Sequence, residues 1–172
     1  MKVAVIGFSG CGKSTLAEAI GKASGIPALY LDQVHWLPGW QERPKEESRK
    51  IVKKFMDTHE DWVIEGNYSA LFYKRRMEEA DQIVFLSFNR FSCLFRILKR
   101  YLRNRGKTRS SMTAGCAEKI DFEFFMWILY NGRKKKEKKK FRFVCSRWHG
   151  KTLRIRNQRQ LDQYYRRISY DL

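Results

Sequence analysis

The chain has 172 residues, 43% of them hydrophobic, which is length enough for residues 1–172 to form one domain with a buried core. Its 36 Lys and Arg outweigh 18 Asp and Glu to give a net charge of +18, and such a field attracts polyanions: nucleotides, nucleic acid or an acidic membrane surface. No run reaches transmembrane length and the four cysteines form no C-x-x-C pair, which argues against a transmembrane helix, and reduced thiols fit better than a disulfide scaffold or a zinc site.

Lys2 to Gly7 predicts a first strand. It leads into Gly7-Phe8-Ser9-Gly10-Cys11-Gly12-Lys13-Ser14, a complete G-x-x-x-x-G-K-[ST] phosphate-binding loop of the Walker A type. A helix follows from Lys13 to about Ser24, and Gly25-Ile26-Pro27 ends it. Strand, loop and helix together are the context in which this motif cradles phosphates. The glycines let backbone N–H groups turn inward, and the helix N-terminus adds its positive dipole end. Lys13 is expected to reach the β- and γ-phosphates, and the Ser14 hydroxyl to ligand Mg²⁺. The implied cofactors are ATP and Mg²⁺, and the first partner is a nucleoside triphosphate.

Ala28 to Leu31 predicts a second strand finishing at Asp32. Trp36 to Pro44 reads as a loop around Pro38-Gly39. Lys45 to Thr58 predicts a helix with Ile51, Val52, Phe55 and Met56 on one face. Trp62-Val63-Ile64 is a third strand, ending at Glu65-Gly66-Asn67-Tyr68, and a short helix runs from about Ala70 to Glu79. Gln82 to Leu86 is a fourth strand. A long helix spans Arg90 to Asn104, with Phe91, Leu94, Phe95, Leu98 and Leu102 at helical spacing and Arg96, Arg100 and Arg103 on the opposite face. Arg105 to Gly115 reads as a mobile loop, part of a lid around 103–117. From Asp121 one helix is expected, apolar first and basic from Arg133 to Lys140. Leu153-Arg154-Ile155 is the fifth strand and Gln158 to Ile168 the last helix.

Strands alternating with helices predict a three-layer α/β sandwich, a parallel sheet with helices on both faces. Ligands of such sheets bind beyond the carboxyl ends of the strands, where Gly7, Asp32 and Glu65 all fall. Glu65 is placed where a second acidic group serves Mg²⁺; its plain alternative is a helix-capping or salt-bridging carboxylate. Asp32 accepts a proton from an acceptor hydroxyl or joins the Mg²⁺ water shell, with an Asx-turn as the equal alternative. His35, Trp36, Trp40, Asn67 and Tyr68 follow the same strand ends, as ring-stacking groups or as loop packing. The arginine-only helix face before a flexible loop reads as a lid over phosphates or as a nucleic-acid patch. The run from Arg133 to Lys140 reads as a solvated helix end or as an extension of that patch. Reduced cytosolic thiols and an N-terminal apolar run too short for a signal peptide give a cytoplasmic location with no membrane partner as the expectation.

These residues resemble the adenylate-kinase-like branch of P-loop kinases. More closely, nearly the whole chain is similar to the bacterial topology modulation (FlaR-related) group, on Ile6 to Thr15, Leu31 to Trp40, Trp62 to Tyr68, Phe88-Asn89-Arg90-Phe91 and Arg103 to Arg109. The resemblance implies a five-stranded parallel sheet with a nucleoside-monophosphate-kinase layout and a lid. It carries Gly7, Ser9, Gly10, Cys11, Gly12, Lys13, Ser14 and Thr15 over as the ATP phosphate site. It places Arg105 and Arg109 as lid arginines and Asn157 and Gln158 near the adenine. Adenylate kinases follow the acidic-Gly step with aromatic-Pro-Arg; here Asn67-Tyr68-Ser69 follows, so the acceptor arginine of that motif is missing and Arg43 is its nearest substitute. The implied activity is transfer of the ATP γ-phosphate to a small nucleotide- or nucleoside-type acceptor held by Asp32, His35, Arg43, Asn67 and Tyr68. The alternative is an ATP-dependent protein that binds DNA non-specifically and modulates its topology.

Overall fold

A computed structural model describes residues 1–104, 111–116 and 121–170. In chain order its first half holds β1 (Lys2–Gly7), α1 (Lys13–Ser24), β2 (Ala28–Tyr30), α2 (Leu31–His35), β3 (Trp36–Leu37), β4 (Gln41–Glu42), α3 (Lys45–Thr58) and β5 (Trp62–Glu65). Then come α4 (Tyr73–Glu79), β6 (Gln82–Leu86), α5 (Arg90–Asn104), α6 (Phe122–Leu129), α7 (Lys135–Arg147), β7 (Thr152–Ile155) and α8 (Gln158–Tyr170). Five strands pair in the order β2-β5-β1-β6-β7, all parallel, which is the expected α/β sandwich.

Alternation along the strands builds two cores. Val3 and Val5 join Val63, Val84 and Leu86 under α1, α5 and α8, through Leu16, Ile20, Ile97 and Leu161. Ala4 and Ile6 join Trp62, Ile64 and Ile83 under α3, α4 and α7, through Val52, Met56, Met77 and Val144. Successive residues facing opposite ways is the period of an extended chain, and both faces are apolar because helices cover both. Each Val, Leu, Ile or Met among them contributes roughly 1.5–3 kcal/mol on full burial. β1 thereby lies at the centre, and its carboxyl end delivers the phosphate loop to the middle of the sheet edge.

Three predicted elements differ. Asp32 does not end a strand. β2 stops at Tyr30 and the chain turns into α2, because one helical turn buries both Leu31 and Val34, which an extended continuation would point apart. The stretch from Trp36 to Pro44 is not a plain loop: β3 and β4 pair antiparallel, Trp36 opposite Glu42 and Leu37 opposite Gln41. The helix expected from Asp121 onward is two. Asp121 caps α6 by accepting from the Phe124 N–H (2.8 Å), and the chain breaks at Asn131–Arg133 before α7. A Cβ on Gly132 would lie 2.9 Å from the Trp127 indole nitrogen, so this tight corner needs glycine. Among the described residues no helix is long and apolar enough to cross a membrane.

Candidate functional site

The phosphate loop crosses from β1 to α1 with Gly10 at φ 79° and Gly12 at φ 91°, conformations glycine adopts without strain. Side chains from four other segments hold it. Asn67 makes a two-way bond to the Gly7 backbone, accepting from its N–H (3.2 Å) and donating to its carbonyl (2.6 Å). Arg96 on α5 donates to the Cys11 carbonyl (3.1 Å), and Trp127 on α6 donates to Ser9 Oγ (3.2 Å). Arg133 lies 4.0 Å over the Phe8 ring.

Beneath the loop sits Glu65, the last residue of β5 and 2% exposed. Ser14 Oγ donates to one of its carboxylate oxygens (3.2 Å), and Lys13 Nζ lies 3.7 Å from the other. Lys13 Nζ also donates to the Phe8 carbonyl (3.4 Å), folding back over the loop it serves. The sequence-predicted trio of Lys13, Ser14 and Glu65 is therefore one cluster. A hydroxyl and a carboxylate are hard oxygen donors, and Mg²⁺ held on nucleotide phosphates needs only one or two of them from the protein. The donor set fits ATP with Mg²⁺. Among the described residues no group of three His, Cys, Asp or Glu side chains offers a separate metal site. Thr15 is exposed on the first turn of α1.

The chain continues from Glu65 into a second cluster. Tyr68 OH donates to Asp32 Oδ1 (2.8 Å), and the His35 ring packs 4.8 Å from Tyr68 and 4.6 Å from Trp36. Burial, reinforced by the Asp32 carboxylate, pushes the Tyr68 phenol well above its usual range, so it stays a donor. Arg43 stands at the edge of this group. Its Nε donates to the Val34 carbonyl (2.8 Å) and Nη1 lies 3.8 Å from Glu47. Residues 111–116 of the predicted lid segment dock here: Thr113 Oγ1 donates to the Trp36 carbonyl (2.6 Å) and Cys116 Sγ to the Leu37 carbonyl (3.2 Å). Arg105 and Arg109 lie outside the described residues.

On the other side of the phosphate loop, Asn157 caps α8 by accepting from the Gln160 N–H (3.0 Å). Gln158 accepts from Arg96. Both line a cavity of about 550 Å³ that includes Phe88 and Asn89.

Four supporting residues have roles that the linear sequence does not display. Arg76 is wholly buried and donates to the carbonyls of Leu71 (2.9 Å), Gly66 (3.0 Å) and Tyr68 (3.0 Å), fixing the segment that carries Glu65 and Tyr68. Burial pushes it down to about 10, still a cation at neutral pH. It is written inside Lys74-Arg75-Arg76, where it looks like any surface cation. Lys140, the last residue of the predicted solvated run, instead reaches in to donate to the Asn67 carbonyl (2.8 Å) and Ser69 Oγ (2.7 Å). The sulfurs of Cys11 and Cys93 meet at 3.3 Å across the loop and α5. A hydrogen bond from Cys93, aided by Lys13, brings Cys11 down to about 7 despite its burial, and the same bond pushes Cys93 up.

No protein-family model matches the chain, and no curated protein does. Among solved structures it is similar to a shikimate kinase from Bacteroides thetaiotaomicron, at 17% identity over 99% of this chain and 96% of that one, with a TM-score of 0.54. TT1252 from Thermus thermophilus matches at 15% identity over 100% and 97%, with a TM-score of 0.56. An uncharacterized protein from Eubacterium ventriosum matches at 16% identity over 99% and 98%, with a TM-score of 0.54. This likeness, taken with the strand order, shows the fold: a five-stranded parallel α/β sandwich like that of the shikimate kinase.

Proposed function

We propose that the chain is a phosphotransferase that moves the γ-phosphoryl group of ATP, with Mg²⁺, to a small hydroxyl-bearing acceptor of nucleotide or nucleoside type. The contact set of Lys13, Ser14 and Glu65 at the carboxyl ends of β1 and β5 carries this reading. The backbone N–H groups of Ser9, Gly10 and Gly12 to Thr15 and the Lys13 ammonium hold the phosphate oxygens, in place of the water they leave. Ser14 and Glu65 would hold Mg²⁺, which when bound neutralises charge developing on the phosphoryl group. Asp32 takes the proton from the acceptor hydroxyl. Tyr68 fixes one of its oxygens, so the carboxylate is oriented before the acceptor arrives. His35 and Tyr68 give that acceptor a ring wall, with Asn67 at its base and Arg43 at its rim. Asn157 and Gln158 border the nucleoside end of ATP. Arg105 and Arg109 complete the proposal as lid cations. ADP release from MgATP across a panel of nucleoside monophosphates, nucleosides and small metabolites tests it. Acceptor-dependent release that vanishes in Lys13→Ala is expected; equal release in that variant overturns the assignment.

A second reading, ATP-linked DNA binding with an effect on topology, draws on the resemblance to the topology modulation group. It also draws on the exposed lysines Lys134, Lys135, Lys136, Lys138 and Lys139 at the start of α7. Saturable, ATP-dependent gel shifts that weaken steeply with salt would favour it; no shift at low salt removes it.

A further inference from the structure

The cations around the phosphate loop have an evident partner in a triphosphate. Lys99 and Arg103 lie farther along α5, beyond its reach. Arg96, Lys99, Arg100 and Arg103, with Arg156 from the segment after β7, line the cavity of about 550 Å³ beside Asn157 and Gln158. Arg96 links that cavity to the phosphate loop, since it bonds both the Cys11 carbonyl and Gln158. Its size lies within the roughly 300–1,000 Å³ of ligand sites. No carboxylate lines it.

What leaves the phosphate loop in a nucleoside triphosphate is a sugar and a base, and neither carries a formal charge. A neutral guest gives no electrostatic return for gathering the three exposed cations Lys99, Arg103 and Arg156. The arrangement also costs helix stability. Arg96 and Arg100, and Lys99 and Arg103, stand four residues apart, while Arg96 and Lys99, and Arg100 and Arg103, stand three apart. Like charges at both spacings repel. No acidic residue relieves them anywhere in α5. Arg156 adds a further positive charge from a different chain segment, so the cluster is not merely the habit of one helix. Arg96 is committed to the loop and Arg100 is half-buried with contacts of its own. Lys99, Arg103 and Arg156 are exposed on the rim.

We propose that this cavity takes a nucleoside 5′-polyphosphate whose ribose carries a further phosphate on its 3′ oxygen, with Lys99, Arg103 and Arg156 holding that phosphate. Two sources offer this chemistry. One is a free 3′-phosphorylated nucleotide; the other is the 5′ end of a nucleic-acid strand, where the 3′ phosphate links to the next nucleotide. The proposal rests on the reading of the phosphate loop as a nucleoside triphosphate site.

The test is displacement of a fluorescent ATP analogue at fixed salt by ATP, by 3′-phosphoadenosine 5′-triphosphate and by 5′-triphosphorylated diadenylate. Wild type is compared with Lys99→Ser/Arg156→Ser and with Lys138→Ser/Lys139→Ser, which removes the same charge from exposed positions of α7. One or both 3′-phosphate probes should bind about tenfold tighter than ATP, the worth of a charge-assisted contact. The gain should vanish in the first variant and persist in the second, and the tighter probe names the source. Equal affinity of ATP and both probes in wild type overturns the proposal. So does a gain that survives Lys99→Ser/Arg156→Ser, or one that falls equally in the α7 variant. ATP binding that Lys13→Ala abolishes, with no gain from the extra phosphate, sinks this proposal and leaves the triphosphate reading standing. Absence of any nucleotide binding removes both.

Discussion

Two carboxylates leave neighbouring strands at the same edge of the sheet, and they are held in opposite ways. Glu65 ends β5, with its backbone opposite Tyr30 of β2, and lies under the phosphate loop against a lysine and a serine. Asp32 comes two residues after Tyr30, on a single helical turn, and its partner is a neutral phenol. A carboxylate compensated by an ammonium in a dry site is part of a charge-balanced cluster that expects more cation and more anion together. A carboxylate that accepts from a neutral phenol on one oxygen keeps acceptor sites for a third group. In the proposed phosphotransferase the difference would put Glu65 on the donor side and Asp32 on the acceptor side.

Breaking the donor side at its centre gives the largest effect. Lys13→Ala should lower ATP-dependent turnover by about 100-fold or more while the thermal midpoint stays near wild type, since Lys13 contributes charge to the site rather than apolar core. An unfolded variant or an active one would both count against the comparison. Asp32→Asn comes next. It should reduce acceptor-dependent kcat by roughly 10²–10⁴-fold, the usual worth of a general base, and leave ATP affinity within about twofold. If ATP affinity collapses instead, Asp32 belongs to the donor side. Glu65→Gln should cost roughly 10–100-fold in the apparent affinity for Mg²⁺, read from the metal dependence of ADP release. A shift in acceptor KM alone would reverse the assignment.

Tyr68→Phe gives the smallest change and sharpens the picture most. Losing the bond to Asp32 should cost about 1 kcal/mol of stability and a few-fold in kcat. It should also change the alkaline limb of the stability curve. The native phenol is held above its ordinary value, so above about pH 10 the unfolded state releases a proton that the native state keeps, and stability falls as pH rises. Urea midpoints taken at about pH 8 and about pH 10.5 should therefore draw closer in Tyr68→Phe than in wild type. An unchanged gap would show that other tyrosines carry the alkaline loss.

Much of the fold is legible because its signals are local. The apolar run of β1, the glycines after it and the Gly25 stop of α1 each lie within a few residues of the structure they specify. β5 and β6 read correctly from short apolar runs, since a strand covered on both faces needs no alternation. Helix α5 is the counterexample. Its obvious apolar stripe is not the face that packs: Phe91 is 73% exposed, Phe95 68% and Leu102 75%, while Cys93 and Ile97 are buried. Periodicity reports that a helix has an apolar side, but the neighbours choose which side they cover. Here the fit of Ile97 to the backbone at Gly10 decides the rotation, since a Cβ on Gly10 would lie 2.5 Å from its terminal carbon.

The sequence by itself determined the glycine-rich loop after β1, the parallel α/β layering and Glu65 at the end of β5, because each is written in contiguous residues and obeys a fixed period or a fixed motif. Only the tertiary structure decided that Asn67 clasps Gly7, that Arg76 and Lys140 turn inward from runs of surface-like charge, and that Asp32 meets Tyr68 rather than the phosphate loop. Those contacts span up to 73 residues of chain, and a hydrogen bond has no periodicity along the sequence. It depends on where the sheet brings two segments together, and on the cost of leaving a buried polar group without a partner.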